Sequence, residues 1–153
     1  VSSEEKVAVA KAHGCHHTIN YSSEKFADRV KEITNGAGVP VVYDGVGAAT
    51  WEGSLKALSP FGYYVSFGAA SGPVPPLPGT ALAPKALYYT RPGLAPHTAT
   101  PELMQGLAEP LFDAVRKGLK IEINQRFALR DAADAHRALE GRQTTGSTLL
   151  MID

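Results

Sequence analysis

A single cysteine, Cys15, stands in a chain of 153 residues, so no disulfide can form within it, in agreement with a reducing compartment. Charge of one sign is missing too. The 15 Lys and Arg are balanced by 15 Asp and Glu, well mixed along the chain, which leaves no footprint for nucleic acid or an anionic membrane surface. Apolar runs are only a few residues long, and Val1-Ser2-Ser3-Glu4-Glu5-Lys6 has neither the basic start nor the apolar core of a signal peptide. These absences exclude polyanion and membrane partners and predict a soluble, cytoplasmic chain. Its length suits one compact domain burying about 70% of its unfolded surface.

What is present is an alternation of helix and strand signals. Ser2 and Glu5 have capping-box spacing before a helix through Val7, Ala10 and Lys11 that Gly14 stops. Thr18 to Tyr21 reads as a short strand. Ser22-Ser23 then caps a helix with Phe26, Val30 and Ile33 on one face, closed by Gly36. Val39 to Tyr43 is a nearly continuous apolar run, the pattern of a strand buried on both faces of a parallel sheet. Trp51, Leu55 and Leu58 repeat the helical spacing before Pro60, and Tyr63 to Phe67 makes the next strand. The proline-rich stretch from Gly72 to Gly79 is a loop, followed by a strand at Leu87 to Thr90. Thr100-Pro101-Glu102 opens a helix with a cap, a first-turn proline and an acid. Leu103, Leu107, Leu111 and Val115 give that helix an apolar stripe expected to be buried, with a kink at Pro110. Ile121 and Ile123 alternate in a strand, a helix runs from about Asp131 to Glu140, and Thr148 to Ile152 is the last strand. The alternation means α/β with a mainly parallel sheet. The first element is a helix rather than a strand, as expected for a chain that begins partway into a larger fold.

The segments Ile19-Asn20-Tyr21, Val41-Val42-Tyr43-Asp44-Gly45-Val46-Gly47, Val65-Ser66-Phe67-Gly68, Tyr89-Thr90-Arg91-Pro92 and Ala135-His136-Arg137-Ala138-Leu139-Glu140 occur in order across nearly the whole chain. Together they resemble the zinc-independent, ζ-crystallin-like quinone oxidoreductases of the medium-chain dehydrogenase/reductase superfamily. The resemblance implies an incomplete Rossmann-like, doubly wound, mainly parallel sheet over residues 1–153 that binds NADPH. It also implies that the first two strands, the glycine-rich loop between them and an N-terminal GroES-like catalytic domain are absent. No GxGxxG turn is present in the sequence. The turn at Asp44 to Gly47 then corresponds to the carboxyl end of the fourth strand, where open α/β sheets bind ligands.

For such a cofactor the 2′-phosphate is the selective group, since a dinucleotide fold selects NADP with hydroxyls and cations where NAD selection uses an acid. Ser2 and the helix end behind it can receive phosphate oxygens. By the resemblance, Lys6 and Tyr21 occupy 2′-phosphate positions, while Glu4 and Glu5 oppose the attraction. A capped helix with a solvated lysine explains the same spacing. Gly45 lies, by the resemblance, beside the adenosine ribose, though an ordinary strand-to-helix turn also uses glycine. Ser66, Phe67, Gly68 and Ala69, and likewise Tyr89, Thr90 and Arg91, are implied to flank the nicotinamide, mostly through backbone groups; Phe67 and Tyr89 serve equally as packing. Arg142 is implied to lie near the cofactor, against the alternative of a surface arginine. Cys15-His16-His17 invites a metal reading that fails, because neighbours on a strand point to opposite faces and no partner cluster accompanies them. Asp44 reads as a turn-capping carboxylate rather than a base. No catalytic residue is assigned to this chain.

The function implied is part of an NADPH:quinone oxidoreductase. A related enone or enoyl reductase and a non-catalytic dimerisation module are the alternatives. The last is motivated by the strand at Leu87 to Thr90, an uncharged edge bounded by Lys85 and Arg91 and suited to pairing with a second copy in a homodimer.

Overall fold

The computed structural model describes residues 1–141 and 143–152. It divides into two compact units, Val1–His97 and the remainder from Thr98 onward. The fold is α/β with parallel strands. In the first unit helices α1 (Glu4–Ala12) and α2 (Phe26–Ile33) precede strand β1 (Val39–Asp44), helix α3 (Trp51–Ala57) and strand β2 (Leu58–Ser66). After the short helix α4 (Gly79–Leu82) come strand β3 (Tyr88–Thr90) and the single turn α5 (Leu94–His97). The strands form one parallel sheet in the order β1-β2-β3.

One face of that sheet is covered. Leu55, Leu58 and Tyr64 form its core, packed by Val42 and Trp51, by Val74 and Leu77 from the proline-rich segment, and by Ala81 and Leu82 of α4. The opposite face stays open among the described residues: Tyr43 is 74% exposed and Tyr63 and Tyr88 about half exposed, their rings stacked 4.6 Å apart. The apolar run of β1 is therefore not buried on both faces. A run of valines reports a capacity for burial, and in this unit only one layer packs against it.

Several local expectations shift. The N-cap of α1 is Ser3, not Ser2, its side chain accepting from the Lys6 N–H. Residues 18–21 are not a strand, since they have no ladder. Instead Val1 bonds two of them, its ammonium donating to the Ile19 carbonyl and its own carbonyl accepting from the Tyr21 N–H, each at 3.0 Å. Helix α2 starts after Lys25 without a side-chain cap, because the N-cap position falls on Lys25 and not on Ser22 or Ser23, whose hydroxyls donate to the carbonyls of Ser2 and Asn20. Leu58 belongs to β2 rather than to α3, and the strand bends at Phe61, which has φ +62° next to Pro60.

The second unit holds helix α6 (Pro101–Arg116), strand β4 (Ile123–Ala128), helix α7 (Ala132–Glu140) and strand β5 (Ser147–Met151), with β4 and β5 parallel. Thr100 caps α6, accepting from the Leu103 N–H, and Pro110 lies inside the helix without ending it. The expected burial of its stripe does not occur: Leu103, Leu107, Leu111 and Val115 are all 41–53% exposed. Periodicity marks an apolar face, but the helix packed on β4 and β5 in this unit is α7. The strand expected at Ile121 begins instead at Ile123, and Ile121 is exposed.

Candidate functional site

The parallel register sets Asp44 beside Ser66 and Val65 beside Thr90, so the carboxyl ends of β1, β2 and β3 lie side by side. This edge is where an open parallel sheet offers its crevice. The Asp44 carbonyl accepts from the N–H groups of Phe67 at 3.0 Å and Gly68 at 3.4 Å, and the Gly45 carbonyl accepts from Ala70 at 3.2 Å. Gly68 is required by this approach, since a Cβ there would come within 2.5 Å of the Gly45 carbonyl oxygen. The Phe67 ring lies over Gly45, 3.1 Å from where a Cβ would stand, and remains 59% exposed.

From the third strand end, Arg91 reaches back. Its Nη1 donates to the Ser66 carbonyl and hydroxyl, each at 3.2 Å, and to the Gly68 carbonyl at 3.3 Å. Ser66 itself is fully buried, and Tyr89 stacks on Tyr64 with ring centroids 5.4 Å apart. Thr90 and Ala69 are exposed. Gly45, Ser66, Phe67, Gly68, Ala69, Tyr89, Thr90 and Arg91 are thus brought to one edge, with the Ser66 side chain turned inward.

Asp44 organises this edge from inside. It is 4% exposed, and its Oδ1 accepts from the N–H groups of Val46 at 2.8 Å and Gly47 at 3.1 Å. Its Oδ2 accepts from the hydroxyls of Thr50, Ser54 and Tyr64 at 2.8, 3.0 and 3.1 Å. Burial pushes this carboxyl up, but the Gly47 and Val46 N–H groups and the Thr50 and Ser54 hydroxyls outweigh it and hold the pKa below the ordinary value. Burial, then the Asp44 charge and its hydrogen bond, push the Tyr64 phenol up to about 12. Asp44 is a capping carboxylate, as its place in the sequence suggested; the hydroxyl shell around it is what sequence reading missed. Thr50 and Ser54, four apart at the start of α3, were the available signal.

The second candidate group gathers at the start of α1. The Ser22 hydroxyl donates to the Ser2 carbonyl at 3.0 Å and the Asn20 amide to Glu4 at 2.7 Å, which with the Val1 bonds ties residues 19–22 to the helix start. Ser2 and Lys6 are half-buried there and Tyr21 is 45% exposed. Between the two groups opens a largely apolar cavity of about 380 Å³, with Val1, Ile19 and Tyr21 among its lining on one side and Val42, Asp44 and Gly45 on the other. Arg142 lies outside the described residues. Among the described residues, no three of His, Cys, Asp and Glu come together to hold a metal ion, and no helix is long and apolar enough to cross a membrane.

The family pattern described as zinc-binding dehydrogenase matches residues 13–150. The chain belongs to that family. A quinone oxidoreductase of Pseudomonas aeruginosa is 52% identical over 153 residues, covering 99% of this chain and 47% of the relative. A 2-haloacrylate reductase of Burkholderia sp is 44% identical over 154 residues, covering 99% of this chain and 46% of its own length. The crystal structure of Escherichia coli quinone oxidoreductase complexed with NADPH superposes with a TM-score of 0.92 at 41% identity, over 99% of this chain and 48% of that one. The chain therefore spans about half the length of the relatives it matches, and its fold is that of the Rossmann-like cofactor domain of medium-chain dehydrogenase/reductase quinone oxidoreductases.

Proposed function

We propose that the chain is the cofactor-binding part of a cytoplasmic, zinc-independent NADPH:quinone oxidoreductase that works as a homodimer. The observation that carries this reading is the alignment of three parallel strand ends, with Gly45, Phe67 to Ala69 and Thr90 to Arg91 along one edge. It is supported by the superposition on a relative that holds NADPH. NADPH when bound supplies the hydride, and this chain's residues bind and orient it. Ser2, Lys6 and Tyr21 receive the 2′-phosphate, Gly45 lies along the adenosine ribose, and Phe67 to Ala69 with Tyr89 to Arg91 line the nicotinamide end; Arg142 completes the cofactor contacts. The opposite wall of the cleft belongs to the GroES-like domain that the family resemblance implies. The homodimer forms through β3, whose three residues are all exposed at the sheet edge.

The test joins the N-terminal half of the Pseudomonas aeruginosa relative ahead of Val1 and measures binding and turnover. The protein should prefer NADPH to NADH and reduce quinones. Lys6→Ala should weaken NADPH by about 1–3 kcal/mol, as for a lost charge-assisted hydrogen bond, and leave NADH nearly unchanged. Equal losses for both cofactors count against the phosphate assignment, and turnover of a 2-haloacrylate but of no quinone would replace the substrate.

A further inference from the structure

Ser71 sits on the glycine- and proline-rich segment after β2 and is exposed, so by position alone it is an ordinary surface serine. Its hydrogen bonds say otherwise. Its hydroxyl donates to the Val46 carbonyl at 2.8 Å and accepts from the Ala49 N–H at 2.9 Å, across 25 and 22 residues of sequence. Its own N–H also donates to the Val46 carbonyl at 2.8 Å. Beside it the Gly72 carbonyl accepts from the Ala48 N–H at 2.9 Å, in a contact so close that a Cβ on Gly47 would lie 2.4 Å from that oxygen. Gly47 has φ +90°, which a side chain would strain in any case.

The turn after β1 is thus gripped on two sides. From within, Asp44 takes the N–H groups of Val46 and Gly47; from without, Ser71 takes the Val46 carbonyl and supplies the acceptor for Ala49. One peptide plane is fixed at both ends, its position set jointly by a buried carboxylate and an exposed hydroxyl.

We propose that Ser71 is a positioning residue. It latches the turn at Gly45 to Gly47 in the conformation that presents it to a ligand, and touches no ligand itself because its hydroxyl is engaged on both sides. The part concerning the ligand rests on the cofactor reading above; the latch does not.

The experiment follows amide hydrogen exchange in the chain and its affinity for adenosine 2′,5′-bisphosphate, with Ser71→Ala and Ser71→Thr. Faster exchange at Ala49 alone follows from the loss of its acceptor, so the readout is at Val46 and Gly47, whose N–H groups bond to Asp44. In Ser71→Ala these should exchange about threefold to tenfold faster, the range one lost hydrogen bond supports, with the bisphosphate bound correspondingly more weakly and both effects restored by Ser71→Thr. Unchanged exchange at Val46 and Gly47 overturns the latch. Faster exchange with undiminished affinity overturns the positioning role. Faster exchange in a chain that binds no bisphosphate at all supports the latch and sinks only the cofactor reading of the turn.

Discussion

The Tyr64 hydroxyl donates to Asp44 Oδ2 at 3.1 Å, joining the middle of the covered sheet face to the carboxylate that shapes the strand ends. Tyr64 is fully buried, so its phenol ionises late, near pH 12, through burial first and then the Asp44 charge and its hydrogen bond. Asp44→Asn removes the charge and leaves burial, so Tyr64 should titrate earlier while staying above the ordinary value of about 10. Ultraviolet titration by pH jump, read before unfolding, checks this, with Tyr64→Phe identifying which tyrosine moves. Coincident curves for the native chain and Asp44→Asn would disconnect the pair.

The same carboxylate makes stability depend on acid. Its folded pKa is depressed, so its contribution is complete above its unfolded value, near about 4, and is lost as pH falls through the folded value. Asp44→Asn should therefore be less stable than the native chain at neutral pH, by about 1.5–3 kcal/mol for hydrogen bonds to a charged acceptor. The difference should shrink as pH falls below about 4. Urea unfolding of both proteins at neutral and acid pH measures it, and a gap that is constant with pH would place the loss in packing rather than charge.

Much of this arrangement is local enough to read in a sequence. The apolar run at Val39 to Tyr43 became β1, the cap at Thr100 opened α6, and Asp44 two and three residues before its N–H donors is a turn carboxylate by spacing alone. The grips of Ser71 on the turn and of Arg91 on Ser66 join residues 22 to 25 apart across parallel strands, and no periodicity encodes them. The failures have one cause as well. The segment at Ile19 and the stripe of α6 carry the right patterns, but a strand needs a ladder and an apolar face needs a partner, and a pattern supplies neither.

Lys85 closes the far end of α3. Its ammonium donates to the carbonyls of Leu55 at 3.2 Å, Lys56 at 2.9 Å and Leu58 at 2.5 Å, satisfying acceptors that a helix end leaves free and placing a cation at the negative end of its dipole. Burial, and to a lesser degree the charge of Lys31, lower its pKa, so the site tolerates the charge because of those carbonyls. Lys85→Met keeps the apolar stem and removes the donors. It should cost about 1–2 kcal/mol, read as a lowered thermal midpoint; an unchanged midpoint would mean that water replaces the ammonium without loss.

The engagement of Lys85 also bears on assembly. Lys85 and Arg91 flank β3 in sequence, but the Lys85 ammonium is bonded to the carbonyls at the end of α3 and Arg91 Nη1 to Ser66 and Gly68. The proline-rich segment packs through Val74 and Leu77 on the core, and Tyr88 and Tyr89 remain 52% and 38% exposed. Tyr88-Tyr89-Thr90 is therefore an uncharged edge whose composition favours a further strand. A two-fold axis would pair it with its own copy and close the assembly as a dimer rather than a fibre. Tyr88→Lys places a charge on that edge and near its symmetry mate, so it should shift the chain to monomer with little change in far-ultraviolet dichroism. Analytical ultracentrifugation over micromolar concentrations decides the matter, because a native chain that sediments as a monomer at high micromolar concentration has no such interface.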